Sequence, residues 1–303
     1  MPEDFNTIAS HTYLGLNALL MGDEDLAQEI WMSVILNSPV DQVDSQIKKL
    51  TKVLEQTTID LLQGMNYTAA KKCYEMSLEI DSEFDNPTLN QILRWKENYH
   101  ETCKKKGYKF TTDWFSNNIP IWNQILKKFV GYPELSFLEV GSWEGRSTCW
   151  LLDNILTHES STITCIDTFE GSVEHTPMGL SENIKLLEDI FDHNIEQTGR
   201  AKQVKKLVGS SRSWLHQLAE NTFDFYYVDG SHIAADVLED TIMGWRLVKE
   251  GGIIVFDDYG WELYRDQPLL HPKLAVDTFV TIFQDKVRVL YQDYQVICEK
   301  LKT

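Results

Sequence analysis

The alternation of short apolar runs with helical patterns after Phe137 constrains the fold of this 303-residue chain more than any other feature. Five runs have the length and composition of buried strands: 137–140, 163–167, 204–209, 223–229 and 251–258. Such alternation predicts a doubly wound, mostly parallel sheet with helices on both faces. Residues 287–292 and 294–299 lie close enough in sequence to form an antiparallel hairpin, which completes a predicted seven-stranded α/β sheet.

The first third of the chain shows only helical periodicity. Apolar residues recur at spacings of three and four, Gly22-Asp23 interrupts the run, and Pro39 ends the second helix. The length favours about two domains at ~150 residues each. We therefore expect an all-α accessory domain over 1–110, a linker or cap helix over 111–134, and the α/β domain over 135–303.

Small and aromatic residues of the first two helices follow a known repeat spacing. The residues are Leu14, Gly15, Ala18, Gly22, Ala27, Trp31, Val34 and Pro39. In this spacing the region resembles a tetratricopeptide repeat, in which small residues let two helices approach and Trp31 fills the gap between them. A looser second copy covers about 53–77, and a generic bundle of helical hairpins is the alternative. Either version could bind a protein partner or mediate self-association.

Charge and cysteine content exclude several classes of protein. The formal net charge of −18 disfavours nucleic acid and anionic membrane surfaces as partners, because both require a basic surface. The sequence contains no run of ~18 apolar residues, so we expect no membrane-spanning helix. The acidic start of the chain lacks the basic region of a secretory signal. The five scattered cysteines contain no CxxC pair, so we expect a cytoplasmic protein without disulfides or zinc.

A glycine loop follows the first strand of the α/β region. Gly141 and Gly145 allow close backbone approach, and the helix that follows them favours a negatively charged group at its N-terminus. Asp167 ends the next strand, 22 residues after Gly145, where a carboxylate can accept hydrogen bonds from ribose hydroxyls. The Gly-x-x-x-Gly spacing differs from the Gly-x-Gly-x-x-Gly of dinucleotide enzymes. It therefore favours S-adenosylmethionine over a nicotinamide cofactor.

Three carboxylates follow two later strands. Asp229 ends one strand, and Asp257 and Asp258 end the next, so all three are expected at the edge of the sheet where ligands bind. Like charges so close repel unless a cation or a proton compensates them, and oxygen ligands without cysteine suit Mg²⁺ or a similar divalent ion. His232, three residues after Asp229, is placed to act as a general base toward a hydroxyl.

Three segments carry a closer resemblance. In LEVGSWEGRST, ITCIDTFEGS and DGSHIAADVLEDTIMGWRLVKEGGIIVFDDYGW, the chain resembles class I S-adenosylmethionine-dependent methyltransferases. The branch is that of metal-dependent macrolide- and aminocoumarin-sugar O-methyltransferases. The resemblance implies methyl transfer from S-adenosylmethionine to a hydroxyl of a small sugar-like or polyhydroxylated acceptor. An interaction protein with an inactive methyltransferase fold is the main alternative, and a nicotinamide-dependent oxidoreductase is disfavoured.

The resemblance also implies roles for individual residues. The implied cofactor-binding residues are Glu139, Gly141, Ser142, Gly145, Ser147, Asp167, Thr168, Gly209, Ser210, Ser211 and Asp229. Asp229, Asp257 and Asp258 are the implied metal ligands, and His232 and Asp229 the implied catalytic residues.

Two loops are expected to shape the acceptor pocket because loops of this length are often active-site lids. The first, 169–182, contains Glu170, Glu174, His175 and Met178. The second, 259–272, contains Tyr259, Trp261, Tyr264, Arg265 and His271.

Overall fold

The computed structural model describes residues 5–63, 66–171, 184, 186–261, 263–264 and 266–302. The chain divides into two compact units, Met1–Thr102 and Cys103–Thr303. The division falls eight residues before the boundary that we expected at 110. None of the described helices is long and apolar enough to cross a membrane.

The first unit is helical, as predicted. Its helices are α1 (Phe5–Leu20), α2 (Glu24–Asn37), α3 (Val43–Gln63), α4 (Tyr67–Ile80) and α5 (Pro87–Lys106), the last of which continues into the second unit. Side chains of Asp23, Asn66 and Asn86 accept hydrogen bonds from backbone N–H groups at the starts of α2, α4 and α5. Neighbouring helices pack in pairs, α1 with α2 and α3 with α4.

Gly15 and Trp31 explain how closely α1 and α2 approach. Trp31 is buried, and its indole N–H donates to the Thr12 carbonyl at 3.2 Å. A Cβ at Gly15 would lie 2.3 Å from Trp31 Nε1, so the indole occupies the space that a larger residue at 15 would need. This packing agrees with the role expected of Trp31, and the repeat identity of the helices stays a prediction.

The second unit is built on a seven-stranded sheet, which confirms the predicted fold class. The strands are β1 (Ser136–Val140), β2 (Thr162–Asp167), β3 (Val204–Val208), β4 (Phe223–Val228), β5 (Val248–Phe256), β6 (Val287–Gln292) and β7 (Val296–Lys300). Their order is β3-β2-β1-β4-β5-β7-β6. The first five strands in this order are parallel, and β7 pairs antiparallel with both β5 and β6.

In the second unit, one helix precedes β1 and the others lie between successive strands along the chain. They are α6 (Ile119–Ile125), α7 (Arg146–Asn154), α8 (Leu187–Gln197), α9 (Ser211–Leu215), α10 (Ala234–Trp245) and α11 (Pro272–Ile282). The central strands are buried on both faces, with Phe137, Phe225 and Phe256 fully enclosed. The helix α9 is short, and α10 ends at Trp245, three residues before Val248 begins β5.

The strand order creates a crevice between β1 and β4. The chain leaves β1 toward β2 and β3 on one side, and β4 leads to β5 on the other, so ligands are expected at the carboxyl ends of this pair. The Asp229 backbone N–H donates to the Val140 carbonyl at 2.9 Å and extends the pairing to the start of the glycine loop. The fold therefore brings the predicted loop and the first predicted carboxylate side by side.

Candidate active site

The glycine loop owes its shape to two positions with left-handed backbone. Gly141 has φ +84°, and a Cβ there would lie 1.9 Å from the Asp229 carbonyl oxygen. Gly145, with φ +79°, immediately precedes α7, and a Cβ there would lie 2.9 Å from the Phe191 ring. Both positions need glycine for backbone conformation and for space.

Glu139 lies beneath this loop, where it organises hydroxyl groups. Its carboxylate is fully buried and accepts hydrogen bonds from Ser142 Oγ at 3.0 Å, from Ser147 Oγ at 2.5 Å and from the Thr148 hydroxyl. Burial raises the pKa of Glu139, and the hydroxyl donors act in the opposite direction. The resemblance implied that Glu139 binds the cofactor, which stays a prediction. In the structure its oxygens face serine and threonine hydroxyls, so it also supports the loop.

Asp167, at the end of β2, accepts hydrogen bonds from the same loop. One carboxylate oxygen accepts the backbone N–H groups of Ser142 and Trp143 at 2.7 and 2.8 Å, and the other accepts the Phe169 N–H at 2.7 Å. A carboxylate has about four acceptor positions. Asp167 also lines the neighbouring cavity.

A cavity of about 720 Å³ opens at the carboxyl ends of the strands. This volume is within the range of ligand pockets. Nine of the eleven predicted cofactor-binding residues line it: Gly141, Ser142, Ser147, Asp167, Thr168, Gly209, Ser210, Ser211 and Asp229. Glu139 and Gly145 do not, because Glu139 lies beneath the loop and Gly145 packs against Phe191.

One wall of the cavity comes from residues 111–115, in a region expected to be a linker. The Glu144 carboxylate is buried and accepts the Thr111 backbone N–H at 2.8 Å. Arg146 Nε donates to the Thr112 carbonyl at 2.9 Å. The Trp114 and Trp143 rings lie 5.4 Å apart, and both line the cavity. We did not predict either tryptophan because neither belongs to a recognisable spacing.

At another part of the cavity, Asp229, His232 and Asp258 converge. One ligand atom from each lies within 4.8 Å of the others, which is compatible with a shared metal ion. His232 Nε2 lies 2.7 Å from Asp258 Oδ2. Burial is the largest cause that raises the pKa of Asp229 well above its usual range, and the negative charges of Asp257 and Asp258 raise it further. The neighbouring His232 lowers the pKa of Asp229.

Asp257 lines the same cavity but is held differently from the other two predicted metal ligands. The Tyr227 hydroxyl donates to one of its oxygens, and the Asp258 backbone N–H donates to the other at 2.8 Å. Burial and the neighbouring Asp258 raise the pKa of Asp257 to about 7. Among the described residues, the ligand atoms that lie within 4.8 Å of one another are those of Asp229, His232 and Asp258, and the role of Asp257 as a metal ligand stays a prediction.

Asp258 has a backbone conformation that is rare for a residue with a side chain, with φ +55°. Its Oδ1 accepts a hydrogen bond from the Tyr294 hydroxyl at 2.6 Å, so each carboxylate oxygen has a partner. Burial and then Asp258 raise the pKa of Tyr294 above its usual value. We expected Tyr294 in the last strand, but it lies in the three-residue turn between β6 and β7.

The loop after Asp258 contributes aromatic side chains to the cavity. The Trp261 ring lies 4.4 Å from the His232 ring, and Trp261 and Tyr264 both line the cavity. Tyr259 and His271 have other roles. The Tyr259 hydroxyl donates to Asp277 at 2.9 Å, and the buried His271 accepts the Lys273 N–H at the start of α11.

The remaining predicted pocket residues are divided between described and undescribed parts of the chain. Glu170 is exposed and does not line the cavity. Glu174, His175, Met178 and Arg265 lie outside the described residues, as do positions 172–183 as a whole.

Comparisons with known proteins found one family model and several similar proteins. A family model for a methyltransferase domain matches residues 138–259. An uncharacterized protein of Acanthamoeba polyphaga mimivirus is 26% identical over 154 residues, which cover 50% of this chain and 62% of the viral protein. The match therefore spans less than two thirds of that relative.

Solved structures with similarity to this chain include three O-methyltransferases. NovP has a TM-score of 0.46 and 19% identity, with coverage of 61% of this chain and 80% of NovP. The O-methyltransferase from Bacillus cereus, in complex with SAH, has a TM-score of 0.47 and 16% identity. The match covers 75% of this chain and 96% of the Bacillus cereus chain. TomG from Streptomyces achromogenes, in complex with SAM, has a TM-score of 0.45 and 15% identity. The match covers 61% of this chain and 80% of the TomG chain. The segment 138–259, which holds the glycine loop and the convergent carboxylates, is the part of the chain that matches the methyltransferase-domain model.

Proposed function

We propose that this chain transfers a methyl group from S-adenosylmethionine to a hydroxyl of a small sugar-like or polyhydroxylated acceptor, with a divalent cation. The observation that carries the proposal is the continuity of one cavity. It runs from the glycine loop and Asp167 to the group formed by Asp229, His232 and Asp258.

The cofactor end of the cavity has suitable donors and acceptors. The Asp167 carboxylate lines this end of the cavity, where a ribose hydroxyl would meet it, and Ser210 and Ser211 follow β3 next to the same space. The Trp143 ring and nearby carboxylates suit a ligand with a positive charge. When bound, S-adenosylmethionine supplies a methyl group that is already activated on a positively charged sulfur.

The carboxylate end of the cavity suits a divalent cation. Asp229 and Asp258 offer hard oxygen ligands, and repulsion among the neighbouring carboxylates is relieved by a cation. A cation held by these two residues would lower the pKa of an adjacent acceptor hydroxyl. Two neighbouring hydroxyls on the acceptor would give it two donor atoms for the cation, which favours a polyhydroxylated molecule.

His232 is the general base of the proposed reaction. Its Nε2 lies 2.7 Å from Asp258 Oδ2, so this carboxylate orients the ring, which lines the cavity. Trp261 packs near the imidazole and limits its rotation. As the acceptor oxygen bonds to the methyl carbon, its O–H bond breaks and the proton moves to His232, while the electron pair of the carbon–sulfur bond stays on sulfur.

The first experiment is a calorimetric titration of S-adenosylmethionine into the full chain, with Mg²⁺ and separately with EDTA. Micromolar affinity is the expected result, and no binding in either buffer would contradict the proposal in favour of an interaction protein. Titration with NAD under the same conditions tests the oxidoreductase alternative.

Activity is then measured as S-adenosylhomocysteine formed with a panel of glycosides, polyols and catechols. Turnover with glycosides or polyols is expected, and it should fall at least about 100-fold in His232→Ala. His158→Ala is the matched control, because His158 is exposed in the turn before β2. Equal turnover in both variants would remove His232 from the mechanism.

A further inference from the structure

The cavity continues past Asp167 to the residues that follow β3. Because β2 lies between β3 and β1 in the sheet, Asp167 separates the glycine loop from Gly209. The Gly209 backbone N–H donates to the Asp167 carbonyl at 2.9 Å, and Gly209 and Ser211 both line the cavity. A cofactor that extends from the glycine loop across Asp167 therefore brings its purine base to this side, which we call the purine end.

Asp240 brings a buried carboxylate to the purine end. Only 4% of Asp240 is exposed, and the residue lines the cavity. Its Oδ2 lies 3.7 Å from the position that a Cβ on Gly230 would occupy. The helix α9, which begins at Ser211, packs against α10, which carries Asp240. Asp240 is therefore close to the ends of both strands, β3 and β4, that border this part of the cavity.

The backbone of Asp240 is held in place by the core. The Tyr226 hydroxyl donates to the Asp240 carbonyl at 3.0 Å, and Tyr226 is fully buried on β4. A Cβ at Gly244 would lie 2.0 Å from the Tyr226 ring, so α10 approaches β4 closely one turn after Asp240. A side chain on such a fixed element is suited to recognise a ligand, because its direction does not depend on a mobile loop.

The surroundings of Asp240 favour a ligand that donates a hydrogen bond. Burial is the largest cause that raises the pKa of Asp240, to about 6, and the charges of Asp236 and Glu239 raise it further, whereas the Ser211 hydroxyl lowers it. An ionised carboxylate in this position gains from each added donor. Adenine offers one in its exocyclic 6-amino group. The side chain of Ile233, which also lines the cavity, provides an apolar contact for the ring.

We propose that Asp240 is a specificity-determining residue: its carboxylate accepts a hydrogen bond from the 6-amino group of the adenine of S-adenosylmethionine. This inference rests on the proposed function, since it concerns the same cofactor. It adds a residue from α10 to the serines after β3 as the part of the chain that recognises the base.

The test compares two ligands that differ only at this amino group. They are S-adenosylhomocysteine and its analogue with purine in place of adenine, and calorimetry gives the Kd of each for the full chain at pH 8. Hydrogen bonds to charged groups account for about 10- to 100-fold in affinity. We therefore expect the unmodified protein to bind the purine analogue at least about tenfold more weakly. Equal affinity for the two ligands would overturn the proposal.

Two variants of Asp240 separate recognition from a structural role. Asp240→Leu keeps the approximate shape but has no acceptor, so the preference for the amino ligand should fall to within about twofold. Asp240→Asn keeps an acceptor without the charge, so its preference should lie between those of Asp240→Leu and the unmodified protein. A residue that only supports the fold would weaken both ligands alike. An undiminished preference in Asp240→Asn or in a folded Asp240→Leu protein would therefore contradict the proposal.

Asp236→Asn is the matched control on the same helix. Asp236 is exposed, and its carboxylate accepts the Ser231 hydroxyl at 2.9 Å. The ratio of the two Kd values should stay within about twofold in this variant, and a ratio that fell as far as in Asp240→Leu would reduce the effect to general loss of negative charge and overturn the proposal. If neither ligand binds to the unmodified protein, the proposed function fails and this inference with it. If both bind equally well, only the role of Asp240 fails.

Discussion

Gly141 packs directly against the backbone of Asp229, so that a Cβ at position 141 would lie 1.9 Å from the Asp229 carbonyl oxygen. This contact joins the glycine loop to the strand end that carries the first candidate metal ligand. Movement of either segment is therefore expected to disturb the other.

Gly141→Ala should destabilise the protein strongly. Left-handed backbone costs a non-glycine residue about 1 kcal/mol or more, and the clash with the Asp229 backbone adds to this cost, so we expect a total of at least ~3 kcal/mol. Gly199→Ala is the control, because Gly199 has φ +70° but a Cβ added there would meet no described atom within 4 Å. Urea unfolding measures the loss of stability in each of the two variants. An equal loss of stability in the two variants would contradict the role of close packing.

Glu139→Gln should weaken the glycine loop. The buried carboxylate accepts from Ser142, Ser147 and Thr148, and the amide nitrogen of glutamine would face hydroxyls that need an acceptor. We expect a loss of about 1–3 kcal/mol in the free energy of unfolding and a several-fold weaker affinity for S-adenosylmethionine. Thermal unfolding and calorimetry test these expectations. Glu188→Gln is the control, because it alters an exposed ion pair with Lys206. It should change the free energy of unfolding and the affinity for S-adenosylmethionine only slightly.

Asp240→Asn should stabilise the protein at alkaline pH. Burial raises the pKa of Asp240 from 3.8 to about 6, so ionisation above pH 6 costs the folded state about 3 kcal/mol at most. The gain from Asp240→Asn should be largest at pH 8, shrink as the pH falls through 6, and disappear below 3.8, where Asp240 is protonated in both states.

The pH dependence is measured by urea unfolding at pH 8 and pH 5. Asp236→Asn provides the comparison, since Asp236 is exposed on the same helix, and it should change stability by less than about 0.5 kcal/mol at either pH. A gain from Asp240→Asn that did not depend on pH would contradict the burial of an ionised carboxylate.

Metal binding should distinguish the two neighbouring aspartates. Mn²⁺, detected by its EPR signal, should bind at least tenfold more weakly to Asp258→Asn, because Asp258 belongs to the group whose ligand atoms lie within 4.8 Å. Asp257→Asn should have a smaller effect, since no Asp257 oxygen belongs to that group. A loss in Asp257→Asn as great as in Asp258→Asn would instead support the three-carboxylate site expected from the sequence.

The alternation of apolar runs and helices was sufficient to predict the fold, because strand and helix periodicity are local properties of the chain. The hairpin could be predicted for the same reason, but its turn could not be located to the residue. Tyrosine is common in β-strands, so the sequence favoured a strand at Tyr294. Only the pairing of β6 with β7 shows that Tyr294 lies in the turn.

The sequence by itself determined which chemical groups meet at the carboxyl edge of the sheet, since each follows a recognisable strand or glycine turn. Only the tertiary structure decided how those groups face one another. Glu139 faces three hydroxyls beneath the loop, and Asp257 and Asp258 accept hydrogen bonds from different tyrosines. Side-chain direction at such positions depends on partners far away in sequence, which no local pattern records.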